Sequence, residues 1–349
     1  MVGSEAVRPQ QGPTLAAKVA FLQRPEAYPP ADRPARVETV ETHLAWVFFT
    51  RRHAYKLKKP VQGPYLDFRT LEARRRVCEE ELRLNRRLAP GVYLGLVALA
   101  RGPAGELGLD GGGEVVEWLV KMRRLPAAQM LDRRIVRQEL QPAELDPLIE
   151  VLVRFYQQAP AVEMTAAAYR EALAAEVRAS AEAIARAELA VPPELGEAVP
   201  QALLELLARE PQLFDRRVRA GRVVEAHGDL RPEHVCLLDP PVIIDCLEFY
   251  RPLRLLDPVS ELSFLALECE RLGARWVGER LLAGYAAGSG DRVPDRLLLF
   301  YRGWHACARA KVALWHLQEP EVRDRAHWLD KAAQYLRLGA GVRALARSG

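Results

Sequence analysis

The chain has 349 residues, a net charge of +4 and a hydrophobic fraction of 49%. This length is sufficient for two lobes, and the charge is too balanced to indicate a nucleic-acid-binding protein. No stretch approaches the roughly 18 consecutive apolar residues of a membrane span, and the N-terminus lacks the apolar core of a secretory signal. The five cysteines have no framework spacing, which indicates reduced thiols. We therefore expect a cytoplasmic protein that binds neither nucleic acid nor a membrane.

The N-terminal part of the chain predicts a small lobe rich in β-structure. Residues 1–13 are expected to form a flexible tail, and helical spacing follows at 14–22. β-branched and aromatic residues between 37 and 60 predict a β-meander, and residues 70–90 predict an amphipathic helix. YLGLVALA and EVVEWLVKMRRL predict two further strands, joined as a hairpin by the glycine-rich turn at 110–114.

The remainder of the chain has predominantly helical patterns. Helical stretches lie between 143 and 221, short strands surround the stretch HGDLRPEHV, and the pattern is helical from 257 onward. The stretch QALLELLAREPQLFDRRVRAG is read as one of these helices. The sequence thus predicts an α+β fold with two lobes, a β-rich N-lobe at 14–122 and a large α-helical C-lobe at 123–349.

The stretch HGDLRPEHV supplies the first candidate catalytic residue. Asp229 lies in a polar loop, where an aspartate can accept or orient the proton of a hydroxyl group. Asp245 ends the strand-like run VIID, where a carboxylate can hold Mg²⁺, a cation that prefers oxygen ligands. The turn DPP between the two would bring them together. Phosphoryl transfer requires this combination, one acid at the nucleophile and one on the metal.

Phosphoryl transfer also requires a cation that holds the phosphates of the donor. Lys56 and Lys58 differ by two positions, so they share one face of the predicted strand AYKLKKP. The next helix carries Glu79, Glu80 and Glu81, any of which could fix a lysine by an ion pair. Strand lysine, helix glutamate, loop aspartate and strand-end aspartate thus follow one another along the chain, and their order is more specific than any one of them.

Several segments resemble a known family. HGDLRPEHV, IIDCLEF and DPVSELSFL resemble the aminoglycoside phosphotransferase family, which has a protein-kinase-like fold. ETHLAWVFFTRRHAYKLKKPV, LDFRTLEARRRVCEEELRLNRRLAPGVYLG and VEWLVKMRRLP are similar to an uncharacterised bacterial branch of that family. The resemblance covers about 36–130 and 215–320, and it implies that ATP binds between two lobes. Some relatives carry a C-terminal P-loop ATPase domain, which we do not expect here because GxxxxGK[ST] is absent from this sequence.

The resemblance implies roles for residues of the second lobe. Asp229 matches the catalytic-loop base, and His227 and Arg231 of the same motif join it as candidate catalytic residues. His227 either braces the loop or takes part in the chemistry. Asp245 matches the metal-binding aspartate. His234 stands where the family usually has an Asn metal ligand, so it either ligates a divalent ion such as Mn²⁺ or fills the position as a hydrogen-bonded side chain.

The resemblance also implies a nucleotide site in the first lobe. Lys56 is the first choice to hold the α/β-phosphates, with Glu81 as its helix partner. Lys58 is the alternative, and the lysine that is not used is expected to be solvated. The strand WLVKMRR matches the inter-lobe hinge, whose backbone from Val120 to Met122 would meet the adenine.

Two further pairs of residues receive provisional roles. Asp257 and Glu261 match an acidic pair that would brace the catalytic loop from the start of a helix. Arg309 and Lys311 are interpreted as residues of a helix surface, with an acceptor pocket as the alternative.

The predicted activity is an ATP-dependent transfer of the γ-phosphoryl group to a hydroxyl of a small molecule, assisted by Mg²⁺ or Mn²⁺. Two alternatives stay open. The replaced Asn suggests a nucleotide-binding pseudokinase with a regulatory role, and a kinase-fold enzyme that modifies a protein would use the same residues. The expected partners are a nucleotide and a small hydroxyl compound of undefined identity, and the sequence does not define an oligomeric state.

Overall fold

The fold was derived from a computed structural model, which describes residues 12–63, 65–187, 193–318 and 324–346. Residues 1–11 of the predicted tail lie outside these ranges. The chain divides into two units. The first unit extends to Leu125 and also contains Glu248–Tyr250, whereas the second contains Pro126–Leu247 and the chain from Arg251 onward.

The first unit combines a curled antiparallel sheet with two helices, α1 (Leu15–Leu22) and α2 (Leu71–Asn85). Its strands are β1 (Glu38–Glu41), β2 (Ala45–Phe49), β3 (His53–Lys58), β4 (Gln62–Gly63), β5 (Leu66–Asp67), β6 (Tyr93–Arg101), β7 (Leu107–Leu109) and β8 (Glu114–Arg123). Six of them form one sheet in the order β1-β2-β3-β8-β6-β7, and β4 pairs with β5 alone. The meander and the helix predicted for this region are present.

Alternation along β3 sets up both faces of the sheet. Tyr55 and Leu57 point into an apolar core that also contains Phe48, Leu119 and Leu22 of α1. Because successive side chains of a strand point to opposite faces, Lys56 and Lys58 lie on the other face, the one that α2 covers. The same alternation that buries the core therefore aims both lysines at one helix.

The glycine-rich segment at 110–114 does not close a hairpin between neighbouring strands, so that prediction is wrong. β7 is inserted before it, and β6 pairs with β7 on one side and with β8 on the other. The hairpin is formed by β6 and β7, with Gly105 at a φ of 87° in its turn. The segment after β7 then crosses to β8. Three residues, LGL, are too short for periodicity to reveal β7.

The second unit is largely helical. Its helices are α3 (Leu131–Val136), α4 (Asp146–Gln158), α5 (Ala166–Ala185), α6 (Pro193–Arg209), α7 (Pro211–Arg219), α8 (Pro258–Arg271), α9 (Arg275–Ser289), α10 (Asp295–Trp315), α11 (Arg325–Gly339) and α12 (Arg343–Ala346). The stretch read as one helix at 201–221 is divided between α6 and α7, because Pro211 lacks the amide hydrogen that would continue the first helix.

Short strands in this unit position the HGDLRPEHV loop. β9 (Val224–Glu225) precedes the loop and pairs with β12 (Leu255–Leu256). β10 (Val235–Cys236) follows it and pairs with β11 (Val242–Ile243). The two units together confirm the predicted α+β class, a sheet-rich N-terminal unit and a helical C-terminal one. None of the helices in the described ranges is both long and apolar enough to cross a membrane.

All five cysteines are buried and carry free thiols. Burial raises the pKa of Cys78 and of Cys307 to about 12. Burial also raises the pKa of Cys269 well above its ordinary value. These thiols therefore stay protonated at neutral pH, and they pack as small apolar side chains.

Candidate active site

In the first unit, the two lysines of β3 share one carboxylate of α2. Lys56 Nζ lies 2.9 Å from Glu81 Oε1, and Lys58 Nζ lies 2.6 Å from Glu81 Oε2. Lys58 also donates to Glu248 Oε1 at 2.5 Å. The ion pair between Lys56 and Glu81 that the sequence suggests is therefore present in the structure. The sequence does not suggest that Lys58 shares Glu81 with Lys56, or that Lys58 also pairs with Glu248.

Lys58 is not solvated, which corrects the expectation for the lysine that is not used. Its side chain is 2% exposed, against 12% for that of Lys56. Burial alone would lower the pKa of Lys58, but Glu248 and Glu81 outweigh it, so the pKa lies above the ordinary value and the ammonium is charged. Two carboxylates thus compensate Lys58 as a buried structural cation. The more exposed Lys56 is better suited to bind a ligand.

The predicted adenine contact does not fit the position of Val120 and Met122. Both residues lie in β8, a central strand whose two edges are paired. Val120 is opposite Lys56 on β3 and Leu96 on β6, and Met122 is likewise paired on both sides. The pairing continues beyond the strand, since the Arg124 amide donates to Arg52 O at 2.8 Å. The backbone of Val120 to Met122 is therefore engaged in the sheet.

In the second unit, Glu261 of α8 holds the backbone of the HGDLRPEHV loop. The His227 amide donates to Glu261 Oε2 at 3.0 Å, and the Gly228 amide donates to Glu261 Oε1 at 2.5 Å. The hydroxyl of Tyr156 donates to Glu261 Oε2 at 2.7 Å. Glu261 is completely buried, so its carboxylate depends on these donors. Glu261 thus braces the loop through two backbone amides, as predicted.

Gly228 allows the loop to turn between the two clamped amides. Its φ is 86°, in the left-handed region that favours glycine. A Cβ atom at this position would lie 3.0 Å from Arg254 Cγ and 3.2 Å from Leu247 Cβ. Both the backbone conformation and the lack of space therefore require glycine before the candidate base.

The ring of His227 is occupied by hydrogen bonds within the loop. Its Nε2 lies 2.9 Å from Ile244 O, and the Asp229 amide donates to its Nδ1 at 3.3 Å. Burial, and next the neighbouring His234, lower the pKa of His227 to about 3. The neutral ring therefore links the loop to the chain before Asp245, which favours the bracing role over direct chemistry.

Asp229 is accompanied by a cation of the same loop. Arg231 Nη2 lies 3.0 Å from Asp229 Oδ2, and Arg231 Nη1 lies 2.6 Å from Glu233 Oε1. Burial raises the pKa of the Asp229 carboxyl, but Arg231, His234 and Arg309 outweigh burial, so the pKa lies below its ordinary value. Asp229 is therefore ionised at neutral pH and can accept a hydrogen bond from a hydroxyl group.

His234 lies between the two aspartates. Its Nδ1 is 2.8 Å from the backbone carbonyl of Asp229 and 3.8 Å from Asp229 Oδ2. Its Nε2 is 3.5 Å from Asp245 Oδ2 and 3.3 Å from Arg231 Nη2. Asp245 has a φ of 62°, which is uncommon for a residue other than glycine. The turn that joins the strands thus brings Asp229 and Asp245 to opposite ends of one imidazole.

Asp245 and His234 fit a divalent cation. Two ligands bound at about 2.1 Å to one cation are about 3.0 Å apart at octahedral angles and about 3.4 Å apart at tetrahedral angles. The observed 3.5 Å between Nε2 and Oδ2 is close to this range. Nδ1 faces a carbonyl that accepts its hydrogen, so Nε2 carries the lone pair. This lone pair accepts from Arg231 Nη2 at 3.3 Å, and a metal ligated by Nε2 would have to displace that donor. No cluster of three or more His, Cys, Asp or Glu side chains suited to a metal occurs in the described ranges, so phosphate or water would complete the coordination.

Asp257 does not brace the loop as predicted. It is the N-cap of α8 and accepts from the Val259 amide at 2.9 Å. Its two oxygens also accept from Arg217 at 2.6 and 2.8 Å, and Tyr301 donates to it at 2.9 Å. Asp257 therefore stabilises the packing of α7 and α10 against α8.

The two basic residues of α10 differ from a solvated helix surface. Lys311 is buried and donates to Glu176 Oε1 at 2.5 Å, so the surface interpretation is wrong for it. Arg309 is largely buried, and its Nε lies 3.3 Å from Glu268 Oε1. Sequence reasoning also assigned no role to Glu248 or to Lys331. Glu248 could have been found, because it belongs to the IIDCLEF segment that carries the family resemblance.

Comparison with known proteins identifies relatives of this chain. The profile of a family described as "Phosphotransferase enzyme family" matches residues 67–308. Uncharacterized protein Rv2004c of Mycobacterium tuberculosis is 35% identical over 290 residues, which cover 82% of this chain and 56% of that protein. A protein of Mycobacterium bovis, also described as uncharacterized, matches to the same extent. The chain therefore spans little more than half the length of these relatives.

Solved structures show the same fold at low sequence identity. Choline kinase LicA from Streptococcus pneumoniae has a TM-score of 0.54 and 15% identity, with 88% of this chain and 93% of that chain covered. A GDP complex of an aminoglycoside 2'-phosphotransferase mutant has a TM-score of 0.53 and 15% identity, with 96% and 99% covered. A choline/ethanolamine kinase family protein from Mesorhizobium loti has a TM-score of 0.51 and 15% identity, with 88% and 92% covered.

Proposed function

Because this chain belongs to the phosphotransferase enzyme family, we propose that it transfers the γ-phosphoryl group of ATP to a hydroxyl group of a small molecule. The observation that carries the proposal is the position of Asp229 and Asp245 on either side of His234. In this arrangement an acid that would orient the hydroxyl group lies close to an acid that would bind the metal. The neighbours named as choline kinases and as a GDP complex of an aminoglycoside phosphotransferase support a small acceptor and a nucleotide donor.

Asp245 and His234 would hold the divalent cation, Mg²⁺ or Mn²⁺. The bound cation would neutralise charge on the β- and γ-phosphates. His234 keeps its Nε2 toward Asp245 because Nδ1 is fixed on the Asp229 carbonyl. An imidazole nitrogen suits Mn²⁺ better than Mg²⁺, so we propose that Mn²⁺ supports the reaction at least as well as Mg²⁺.

Asp229 would orient the acceptor hydroxyl for in-line attack. Its lowered pKa makes it a weak base, so it acts mainly by accepting the hydroxyl hydrogen bond and receives the proton late in the reaction. Arg231 would hold the carboxylate in place through the 3.0 Å ion pair. His227 and Glu261 are positioning residues, since they fix the loop without facing a reacting atom.

In the first unit, Lys56 would bind the α/β-phosphates. Glu81 fixes its ammonium at 2.9 Å, and Lys58 neutralises the second oxygen of the same carboxylate. Catalysis would then arise from positioning and charge stabilisation by groups that are fixed before the substrate binds.

The free thiols indicate the redox state of the cellular compartment in which the protein is found. None of the five cysteines forms a disulfide in the structure, and all five are buried. We therefore propose a reducing compartment, the cytoplasm. Mass spectrometry after rapid alkylation under denaturing conditions should find five free thiols in protein taken directly from cells, and a disulfide would contradict this.

The first test measures nucleotide binding. Thermal unfolding is followed with AMP-PNP and Mg²⁺, with AMP-PNP and Mn²⁺, and with AMP-PNP and EDTA. The melting temperature should rise in both metal series and rise less with EDTA, because a ligand that binds only the folded state stabilises it. The absence of any shift in all three series would contradict a nucleotide site.

The second test measures turnover with radiolabelled ATP and a panel of hydroxyl compounds. Asp229→Asn should lower acceptor-dependent transfer by roughly 10²–10⁴-fold. Asp295→Asn removes an exposed carboxylate at the start of α10 and serves as the matched control with unchanged transfer. Full turnover by Asp229→Asn would refute its assignment. Binding without turnover would favour the pseudokinase, and label found only in protein would favour a protein-modifying enzyme.

The metal assignment has its own test. His234→Asn restores an oxygen ligand, so the ratio of activity with Mn²⁺ to activity with Mg²⁺ should fall. The same ratio in the variant and the wild type would show that His234 does not ligate the metal.

A further inference from the structure

Four cationic side chains lie close enough to interact electrostatically beside the HGDLRPEHV loop. The loop supplies Arg231, α8 supplies Arg271, α10 supplies Arg309 and α11 supplies Lys331. The three helices pack on one another. We call these four residues the cationic cluster. Each of its arginine side chains keeps about one fifth of its surface exposed, 21% for Arg231 and Arg271 and 18% for Arg309.

The carboxylates near the cationic cluster are too few to neutralise it. Glu268 serves two arginines, with Arg271 Nε at 2.7 Å and Arg309 Nε at 3.3 Å. Its Oε1 also accepts from the Tyr335 hydroxyl at 2.6 Å. Within the described part of the chain, Lys331 has no carboxylate at ion-pair distance, and its ammonium lies 5.0 Å from the ring centre of Trp328. The helices α8, α10 and α11 thus contribute three cations and a single shared carboxylate at this place.

The second carboxylate, Glu233, is already bound to Arg231 at 2.6 Å. Arg231 is the cation of the cluster that contacts Asp229. Asp229 is the third carboxylate at ion-pair distance, so four cations face three carboxylates. The cluster therefore retains an excess of about one positive charge.

Arg309 has donors that the protein does not use. Its guanidinium carbon lies 5.9 Å from the ring centre of Phe264 and 5.7 Å from that of Tyr335. Its buried Nε makes no hydrogen bond to any residue that the structure describes, and the same holds for Nε of Arg231. A guanidinium carries five N–H donors, and buried donors in proteins are normally satisfied. The planar group is thus fixed by the helix packing and by its ion pair with Glu268 at 3.3 Å, while its buried Nε donates no hydrogen bond within the described ranges.

Like charges also act on Lys331. Burial lowers the pKa of Lys331, and Arg309 and Arg271 lower it further, against the opposing effect of Glu268. Keeping Lys331 charged beside these arginines therefore costs free energy in the unliganded protein, whereas the pKa of each arginine is raised by its anionic neighbours. An anion bound among them would remove this repulsion and satisfy the arginine donors.

We propose that the acceptor carries an anionic group, a phosphate or a carboxylate, and that Arg309 and Lys331 bind it. This inference rests on the proposed function, because it assigns the second substrate of the same site. Arg231 connects the cationic cluster to Asp229 at 3.0 Å, so an anion held by the cluster keeps an attached hydroxyl near the candidate base. The site would thereby select acceptors by charge and reject cationic ones.

Binding of small probes tests the proposal. DL-glycerate, glycerol 3-phosphate, glycerol and ethanolamine all carry a hydroxyl group and differ in charge, so each is titrated by calorimetry with and without AMP-PNP and Mn²⁺. AMP-PNP occupies the nucleotide site, so the anions must bind elsewhere. At least one anion should bind, and glycerol and ethanolamine should not. The comparison between glycerate and glycerol 3-phosphate identifies which anionic group is preferred.

Matched variants locate the binding. Arg309→Gln and Lys331→Gln should each weaken the binding of the preferred anion by about tenfold or more, because each removes a charge-assisted hydrogen bond. Arg275→Gln removes an exposed arginine of α9 that pairs with Glu279, and it should bind the anion like the wild type. Lys331→Gln breaks no ion pair within the described ranges, so it tests the site even if Arg309→Gln unfolds.

The outcomes separate the two proposals. If neither anion binds, if ethanolamine binds more tightly than both, or if both variants bind the anion like the wild type, the inference is overturned. If AMP-PNP fails to bind with either metal, the proposed function fails, and the titrations without nucleotide still decide whether the cationic cluster binds an anion.

Discussion

Replacement of Glu261 should destabilise the second unit strongly. The completely buried carboxylate accepts from the His227 amide, the Gly228 amide and the Tyr156 hydroxyl at 3.0, 2.5 and 2.7 Å. Glu261→Gln keeps one oxygen for the Gly228 amide but turns an NH₂ group toward the His227 amide. One buried donor then faces another donor, and the charge that strengthens the remaining bonds is lost.

The magnitude follows from these contacts. A hydrogen bond to a charged group contributes about 1.5–3 kcal/mol, and an unsatisfied buried donor costs about 1–3 kcal/mol. Because the Tyr156 hydroxyl can reverse and accept from the new NH₂ group, we count only the loss at the His227 amide and the weakened bond at the Gly228 amide. Glu261→Gln should therefore lower the free energy of unfolding by roughly 2–4 kcal/mol. Tyr156→Phe removes one donor and should cost about 1–2 kcal/mol.

Urea denaturation followed by circular dichroism at the helix band measures the effect, since most helices belong to the second unit. Glu279→Gln, which breaks an exposed pair on α9, should change the free energy by less than about 0.5 kcal/mol. The double variant of Glu261 and Tyr156 should lose less than the sum of the single variants, because they share one hydrogen bond. A Glu261→Gln protein as stable as the control would refute the stabilising role of the hydrogen bonds to Glu261.

Three further changes follow from the same geometry. The Asp245→Gly variant should be more stable than the Asp245→Ala variant by about 1 kcal/mol in urea denaturation, because the φ of residue 245 is 62°. Equal stability of the two variants would contradict a left-handed backbone at this position. Lys58→Met should lower the free energy of unfolding by about 3–5 kcal/mol, since two buried carboxylates lose their cation. Lys56→Met should lower the free energy of unfolding less and should impair ATP turnover more. If instead Lys56→Met were the less stable variant and Lys58→Met the less active one, the roles of the two lysines would be exchanged. Gly228→Ala should cost about 2 kcal/mol or more, because its Cβ would meet Arg254 in a conformation alanine avoids, and a melting temperature equal to that of the wild type would contradict this.

The sequence predicts those parts of the site that depend on periodicity and short motifs. Strand alternation correctly puts Lys56 and Lys58 on one face, and the helix pattern puts Glu81 within reach of it. What it does not reveal is that both lysines use the same carboxylate. The second partner of Lys58, Glu248, is 190 positions away in sequence, and periodicity carries no information about such a pairing.

Pairing in the sheet explains why the predicted backbone contact with adenine does not fit the structure. The apolar run that ends in Met122 is a correct strand prediction, but a sequence does not show whether a strand lies at an edge or in the centre. β8 lies in the centre of the sheet because β3 and β6 pair with its two edges, and the three-residue strand β7 extends the sheet beyond β6. The backbone of Val120 and Met122 is consequently paired with both neighbouring strands, which does not fit the backbone contact with adenine that the motif predicts.

In the cationic cluster, the burial of a helical residue likewise could not be predicted from the sequence. Arg309 occurs in an Ala-rich helical stretch that is compatible with a solvated face. Its burial results from Phe264 and Tyr335, which belong to two other helices. Charge patterns along one helix predict neighbours three or four residues apart, whereas the partners of this guanidinium are set by tertiary packing.

The burial of every cysteine has a practical consequence. A maleimide dye reacts with accessible thiolates, whereas all five native thiols are buried, and the raised pKa of Cys78, Cys269 and Cys307 keeps these three protonated at neutral pH. A single cysteine introduced at an exposed position, such as Glu279 on α9 or Glu79 on α2, should thus be labelled selectively in the folded wild-type background. Fluorophores could then be attached to each unit in turn without first replacing any native cysteine.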